Sequence, residues 1–141
     1  MKILLVGSGG REHAIALKVK AAPTPVKLFA APGSDAIQDL GTCLPLATDD
    51  VAGITAWAKE NRPDLTIIGP ESSLVAGLAD ALRACGLAVF GHDAATAKLE
   101  GSKSFAKAFM QRHGIPCAQG VTVTDLQQGE EHIRTDRKAH V

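Results

Sequence analysis

The stretch that decides the fold is KILLVGSGGREHAIALK, residues 2–18. A continuous apolar run over residues 3–6 leads into glycines at positions 7, 9 and 10, and a segment of helical composition follows. A run that is apolar throughout, rather than at alternate positions, is typical of a parallel strand covered on both faces. We therefore predict a strand, a tight glycine turn and a helix, the opening unit of a parallel α/β sheet.

The same pattern recurs along the chain. Short apolar runs that end in glycine or proline predict further strands over 26–31, 64–69 and 87–91, with a weaker candidate over 43–47. Apolar residues at helical spacing, together with capping residues, predict helices over 10–21, about 50–59, 74–85, 93–100 and 103–113. Pro45 weakens the candidate at 43–47, because proline is confined to sheet edges. This alternation predicts right-handed βαβ units in a doubly wound sheet.

The end of the chain differs in character. Thr124 and Gln127 form a possible capping box for a helix through about residue 135, and the last three residues resemble the beginning of another strand. We therefore expect one domain over 1–123, followed over 124–141 by a connecting helix and the start of a further region. A strand that stops at its first residues also leads us to expect that the chain is truncated.

Bulk composition excludes several classes of function. Fifteen basic residues balance fifteen acidic ones, so no overall charge draws the chain to nucleic acid or to an anionic membrane. No segment approaches the roughly 20 apolar residues that span a bilayer. Three widely spaced cysteines, at positions 43, 85 and 117, predict reduced thiols in a cytoplasmic protein. We expect the binding partners to be small molecules. We also expect a monomer, although the sequence itself does not determine the oligomeric state.

The glycine loop predicts an anion site. Glycines between a strand and a helix allow backbone N–H groups to face a phosphate at the positive end of the helix dipole, and Arg11 stands beside them. A nicotinamide site is disfavoured, because Glu12 replaces the third glycine of the dinucleotide fingerprint and the second strand lacks an acidic residue at its end. A tight turn without a ligand, and an Arg11 that only faces solvent, remain alternatives.

Two more loops should reach the same edge of the sheet, and one lysine is electrostatically out of place. Residues 31–35 follow the second strand, and Glu71 follows the strand over 64–69, from where it could accept hydrogen bonds from a sugar hydroxyl or an amine. Lys103 lies in the first turn of a helix, where a cation is unfavourable without an anionic partner. A carboxylate that stabilises its own helix and a solvated lysine are the structural alternatives.

Taken together, GSGGREHAIA, APGS, DLTIIGPESSLVAGLADALRACGLAVFG and AKLEGSKSFAKAFMQRHGIPCA resemble, in order and spacing, the N-terminal part of phosphoribosylamine–glycine ligases of the ATP-grasp superfamily. The resemblance covers residues 1 to about 135. It implies a Rossmann-like α/β domain that precedes the ATP-grasp domain. It also implies a role in a purine-biosynthesis ligase, which joins glycine to 5-phosphoribosylamine through a glycyl phosphate to give glycinamide ribonucleotide.

By position, the resemblance implies a phosphoribosylamine site formed by Gly9, Gly10, Arg11, Glu12, Pro32, Gly33, Gly69, Pro70 and Glu71. Lys103 matches a superfamily lysine that approaches the phosphates of ATP. Ser34 stands where the family usually has asparagine, and serine keeps a hydrogen-bonding side chain but lacks the second group of the amide.

The resemblance implies that the intact ligase uses ATP with Mg²⁺ or Mn²⁺, and the family's ATP-grasp segment and metal ligands do not occur among these 141 residues. No catalytic residue or metal ligand is therefore assigned, and the chain alone is expected to be inactive. A stand-alone phosphate- or nucleotide-binding module with a regulatory role is the alternative function.

Overall fold

The computed structural model describes residues 1–118 and 120–135. These residues divide into two compact units, the first Met1–Ser102 and the second beginning at Lys103. The predicted domain boundary after residue 123 stays a prediction, since units defined by contacts need not coincide with domains. No helix in the described ranges is long and apolar enough to cross a membrane. The three cysteines are free.

The first unit is built on a parallel sheet of five strands in the order β3-β2-β1-β4-β5. The strands are β1 (Lys2–Gly7), β2 (Lys27–Pro32), β3 (Thr42–Cys43), β4 (Leu65–Ile68) and β5 (Val89–Phe90). The chain runs outward from β1 through β2 to β3 and then returns to the other side of β1 for β4 and β5. The α/β parallel sheet predicted from the apolar runs is confirmed.

Helices cover both faces of this sheet. They are α1 (Gly10–Lys20), α2 (Asp35–Gln38), α3 (Val51–Asn61), α4 (Glu71–Val75), α5 (Leu78–Ala84) and α6 (Ala94–Gly101). Alternate residues of β1 enter two separate cores: Ile3 and Leu5 pack with residues of α1 and α2, whereas Leu4 and Val6 pack with residues of α3 to α6. Burial on both faces explains why β1 is apolar without alternation.

The prediction of one continuous helix over residues 74–85 is wrong. The segment 74–85 is interrupted, so that α4 and α5 are separate helices with Gly77 between them at φ 88°. Leu74, Leu78 and Leu82 nevertheless enter the same core. The apolar stripe therefore continues across a break that only the glycine allows, because left-handed φ is strained for other residues.

The weak strand candidate over 43–47 is confirmed in its first residue. The edge strand β3 ends at Cys43, and the N–H of Leu44 donates to the carbonyl of Ala30 at 2.8 Å. The next N–H on the side that faces β2 is that of Leu46, and it donates to the carbonyl of Leu44 at 2.8 Å, so the ladder ends there. Pro45 between them is tolerated because β3 is an edge strand.

The second unit contains α7 (Lys103–Arg112) and α8 (Leu126–Thr135). The predicted capping box at the start of α8 is wrong by one residue, because Asp125 Oδ1 accepts the N–H of Gln128 at 2.9 Å. The side chain of Asp125, not that of Thr124, therefore accepts the N–H of the third residue ahead, as the side chain of a helix N-cap does. The strand predicted to begin at the last three residues lies outside the described ranges.

Candidate functional site

Three loops meet at the carboxyl ends of the central strands. β1 lies between β2 and β4, and the chain's direction of travel across the sheet reverses there, which makes this edge the usual ligand position in open α/β sheets. The N–H of Gly33 donates to the carbonyl of Gly7 at 3.2 Å, and the N–H of Gly69 donates to the carbonyl of Val6 at 3.0 Å. The loops after β2 and β4 are thus both tied to the end of β1.

Glu12 organises the glycine loop from within. Its side chain is buried, with 4% of its surface exposed. Oε2 accepts the N–H of Gly9, the residue that caps α1, at 2.9 Å, and Oε1 accepts Nε of Arg11 at 3.0 Å. A buried carboxylate is stable only with such partners. Glu12 therefore lies beneath the loop as a paired anion.

Two glycines make room for this carboxylate. A Cβ at Gly7 would lie 2.5 Å from Cγ of Glu12, and one at Gly69 would lie 2.1 Å from Oε1. Gly7 also has φ 128°, a conformation that side chains rarely adopt. The sequence suggested that these glycines allow a ligand to come close. In the structure, Gly7 and Gly69 allow the side chain of Glu12 to come close.

Arg11 bridges the ends of β1 and β4. Its guanidinium donates to Glu12 and also to the carbonyl of Gly69, while 57% of the side chain stays exposed. The hydrogen bond and the charge of Glu12 raise the pKa of Arg11, and the carboxylates of Glu71 and Glu100 raise it further. The guanidinium is thus a fixed, solvent-accessible cation at the switch point of the sheet.

The other predicted residues lie around this centre. Pro32 ends β2 in register with Gly7, and Gly33 follows at φ 76° above the thiol of Cys43. Pro70 caps α4, and Glu71 is the exposed first residue of that helix. The loop after β2, the glycine loop and the loop after β4 are therefore brought to one edge, as the parallel strands predicted.

A cleft of about 480 Å³ opens beside Arg11, within the size range of small-molecule sites. Its lining includes Arg11, Ile15, Ile67, Gly69, Arg83, Phe90, His92 and Glu100. Of the predicted site residues, only Arg11 and Gly69 line it. The sequence analysis did not assign to a site any of the residues that β5 and the loop after it contribute to this cleft. His92 could have been predicted as a site residue, because it follows the end of a strand as Glu71 does.

Lys103 belongs to the second compact unit. It is exposed and is the first residue of α7, a helix with no acidic residue in its first turn. Its unfavourable position relative to the helix dipole, inferred from the sequence, is therefore present in the structure.

Comparison with known proteins assigns the chain to a family. A family model described as phosphoribosylglycinamide synthetase, N domain, matches residues 1–100. The chain belongs to this family. The resemblance deduced from the motifs is thereby confirmed for the phosphoribosylglycinamide synthetase N domain.

Individual relatives of this N domain agree. A phosphoribosylamine–glycine ligase of Agrobacterium fabrum is 46% identical over 134 residues, which cover 95% of this chain and 32% of the relative. The crystal structure of phosphoribosylamine–glycine ligase from Thermotoga maritima is 25% identical with a TM-score of 0.66, and it covers 95% of this chain and 30% of that one. A biotin carboxylase domain of a single-chain bacterial carboxylase, 24% identical with a TM-score of 0.64 over 94% of this chain and 33% of that one, shares the fold.

The chain spans about a third of the length of the curated relatives that it matches, 32% for the Agrobacterium fabrum ligase. The matched part is the end of those ligases that corresponds to the N domain.

Proposed function

We propose that this chain is the phosphoribosylamine-binding part of a phosphoribosylamine–glycine ligase of purine biosynthesis. Membership of the N-domain family and the names of its relatives support this role. The observation that carries it is the guanidinium of Arg11, held between the ends of β1 and β4 and exposed toward a cleft of suitable size. An exposed, fixed guanidinium at a topological switch point is well suited to a sugar phosphate.

The contacts of the described residues suggest how the sugar phosphate would bind. Gly9 already donates its N–H to Glu12, so Gly9 would shape the loop, and the phosphate would meet Arg11 and the exposed Gly10. A Cβ at Gly10 meets no described atom within 4 Å, which leaves space there for a ligand. Glu71 would accept hydrogen bonds from the ribose hydroxyls or from the amine. The backbones of Pro32, Gly33, Gly69 and Pro70 would border the ligand along this edge of the sheet, and of these four only Gly69 also lines the cleft.

The complete ligation is proposed for the intact ligase. ATP with Mg²⁺ or Mn²⁺ would supply the phosphoryl group that activates the carboxylate of glycine, and Lys103, as an exposed cation, fits an approach to the phosphates of ATP. The described residues contain no group of three or more His, Cys, Asp or Glu side chains that could hold a metal ion. We therefore assign no metal-dependent step to them.

A cytoplasmic location and a monomeric state stay predictions.

An amide NMR titration of the chain with ribose 5-phosphate tests the proposal. Ribose 5-phosphate is a stable analogue of the labile amine. We expect shift changes confined to the glycine loop, Arg11 and the loop that carries Glu71, with about millimolar affinity, which corresponds to about −4 kcal/mol. A well-dispersed spectrum in which these amides do not move would contradict the proposed role for this chain.

A further inference from the structure

Glu12 occupies the sequence position at which dinucleotide-binding loops have their third glycine. In those folds the first turn of the helix faces a pyrophosphate, which the loop N–H groups and the helix dipole hold in place. Here the carboxylate of Glu12 turns back into that region. It accepts the N–H of Gly9 at 2.9 Å and lies against Gly7 and Gly69, between the ends of β1 and β4.

We propose that Glu12 is a specificity-determining residue, whose carboxylate fills the anion position of the glycine loop and so makes the site select a sugar monophosphate over a pyrophosphate ester. This inference rests on the proposed function of the site. It assigns to Glu12 an effect on ligand choice without direct contact with the ligand.

Burial and charge carry the inference. Because only 4% of Glu12 is exposed, a ligand cannot easily displace the carboxylate into water, and its two hydrogen bonds hold it in place. A second anion bound against the same N–H group would face a like charge at close range. Arg11 offers the alternative, since its exposed guanidinium can receive one phosphate on the outer side of the loop.

The geometry also explains why the glycines remain although the pyrophosphate position is filled. A Cβ at Gly7 or Gly69 would overlap the side chain of Glu12, at 2.5 Å from Cγ and 2.1 Å from Oε1 respectively. The glycines of the loop thus make room for Glu12, and the N–H of Gly9 is used by a side chain of the same protein.

Binding of two probes to the unaltered chain and to Glu12→Gln tests the inference. The probes are ribose 5-phosphate and ADP-ribose, in which the same sugar phosphate is extended through a pyrophosphate. The unaltered chain should bind ribose 5-phosphate at least about tenfold more tightly than ADP-ribose. Glu12→Gln keeps the size of the side chain and one acceptor oxygen but removes the charge, and it should reduce this preference at least about tenfold, mainly through a gain in ADP-ribose affinity.

Glu60→Gln is the matched control, because it makes the same change of charge at an exposed position near the end of α3, outside the lining of the cleft. It should leave the preference unchanged. Dispersed amide spectra establish that each variant is folded.

Two results would overturn the inference: equal affinity of the unaltered chain for both probes, or a preference that Glu12→Gln leaves within about threefold of its original value. The first needs no variant, so the inference stays testable if Glu12→Gln does not fold. Failure of ribose 5-phosphate to bind the unaltered chain would instead contradict the proposed function, and the ADP-ribose affinity of Glu12→Gln would still decide the role of Glu12.

Discussion

Among the helices of the first unit that follow a strand, α1 and α6 each have a carboxylate that accepts a backbone N–H near the helix start. In α6 the acceptor is Asp93, the residue before the helix, whose Oδ1 reaches forward to the N–H of Thr96 at 2.7 Å. In α1 the acceptor is Glu12, a residue within the helix, which reaches back to the N–H of Gly9 at 2.9 Å. The chemistry is the same, but the direction is reversed.

Burial separates the roles of the two carboxylates. Asp93 is exposed and acts on its own helix, as ordinary helix caps do. Glu12 is buried, binds Arg11 and contacts two glycines from different loops. Asp93 thus caps its own helix only, whereas Glu12 accepts the N–H of the N-cap residue of α1, as a capping-box glutamate does, and also holds the glycine loop against Gly69.

The largest effect is expected for Gly7→Ala. The left-handed φ of 128° and the overlap with Cγ of Glu12 at 2.5 Å should together cost about 3 kcal/mol in the free energy of unfolding. Urea denaturation measures this loss. Gly10→Ala is the control, since a methyl group there meets no described atom within 4 Å and alanine favours a helix. If both variants lose the same stability, Glu12 does not determine the shape of the loop.

Glu12→Ala should cost about 2 kcal/mol, because it leaves the N–H of Gly9 and the Nε–H of Arg11 without their acceptor and opens a small cavity. Urea denaturation is again the measurement, with Glu60→Ala as the control for loss of a carboxylate at an exposed helical position. Equal stability of Glu12→Ala and the unaltered chain would show that the buried carboxylate contributes nothing net, and would remove the contrast with Asp93.

Arg11→Ala should weaken ribose 5-phosphate binding at least about fivefold, because a hydrogen bond to a charged group is lost. Stability should also fall, because the buried carboxylate of Glu12 loses its ion-pair partner and keeps only the N–H of Gly9. NMR titration gives the affinity, and thermal unfolding gives the stability. Arg62→Ala is the control, an exposed arginine at the end of α3. Unchanged affinity of Arg11→Ala would exclude Arg11 from the site.

Asp93→Ala should produce the smallest effect, a slight fall in the unfolding midpoint at neutral pH. The backbone hydrogen bond from Thr96 lowers the pKa of Asp93, so its stabilising contribution is present above the ordinary pKa of about 3.9 and is lost as pH falls through the lowered value. The difference between Asp93→Ala and the unaltered chain should therefore vanish in acid. Asp93→Asn keeps a capping oxygen without a titrating group, and thermal unfolding across pH compares all three. A difference that persists at low pH would contradict this role.

Much of the fold follows from local patterns in the sequence. Apolar runs predicted the central strands, and capping residues helped to predict the helices; the helix predicted over 93–100 begins at Ala94, where Asp93 accepts the N–H of Thr96. The interruption at Gly77 was missed, since the apolar stripe from Leu74 to Leu82 is the same for one helix or two. Hydrophobic spacing records which residues are buried, and it does not record where the backbone turns.

The arrangement of the site was harder to predict. Parallel strands predicted that the loops after β1, β2 and β4 would meet, and they do. Glu12 stood out in the sequence as a departure from the dinucleotide fingerprint, but no local pattern shows that its side chain turns back beneath Gly9 and next to Gly69. That position depends on space left by a glycine 57 residues further along the chain.

The backbone hydrogen bonds from Gly33 to Gly7 and from Gly69 to Val6 have a consequence for binding entropy. They restrain the three loops before any ligand arrives, so association need not order the protein backbone at this edge. The entropic cost falls mainly on the ligand's own freedom, and preorganisation of this kind favours affinity even where contacts are few. A substitution that loosens one loop should consequently weaken binding at the other two.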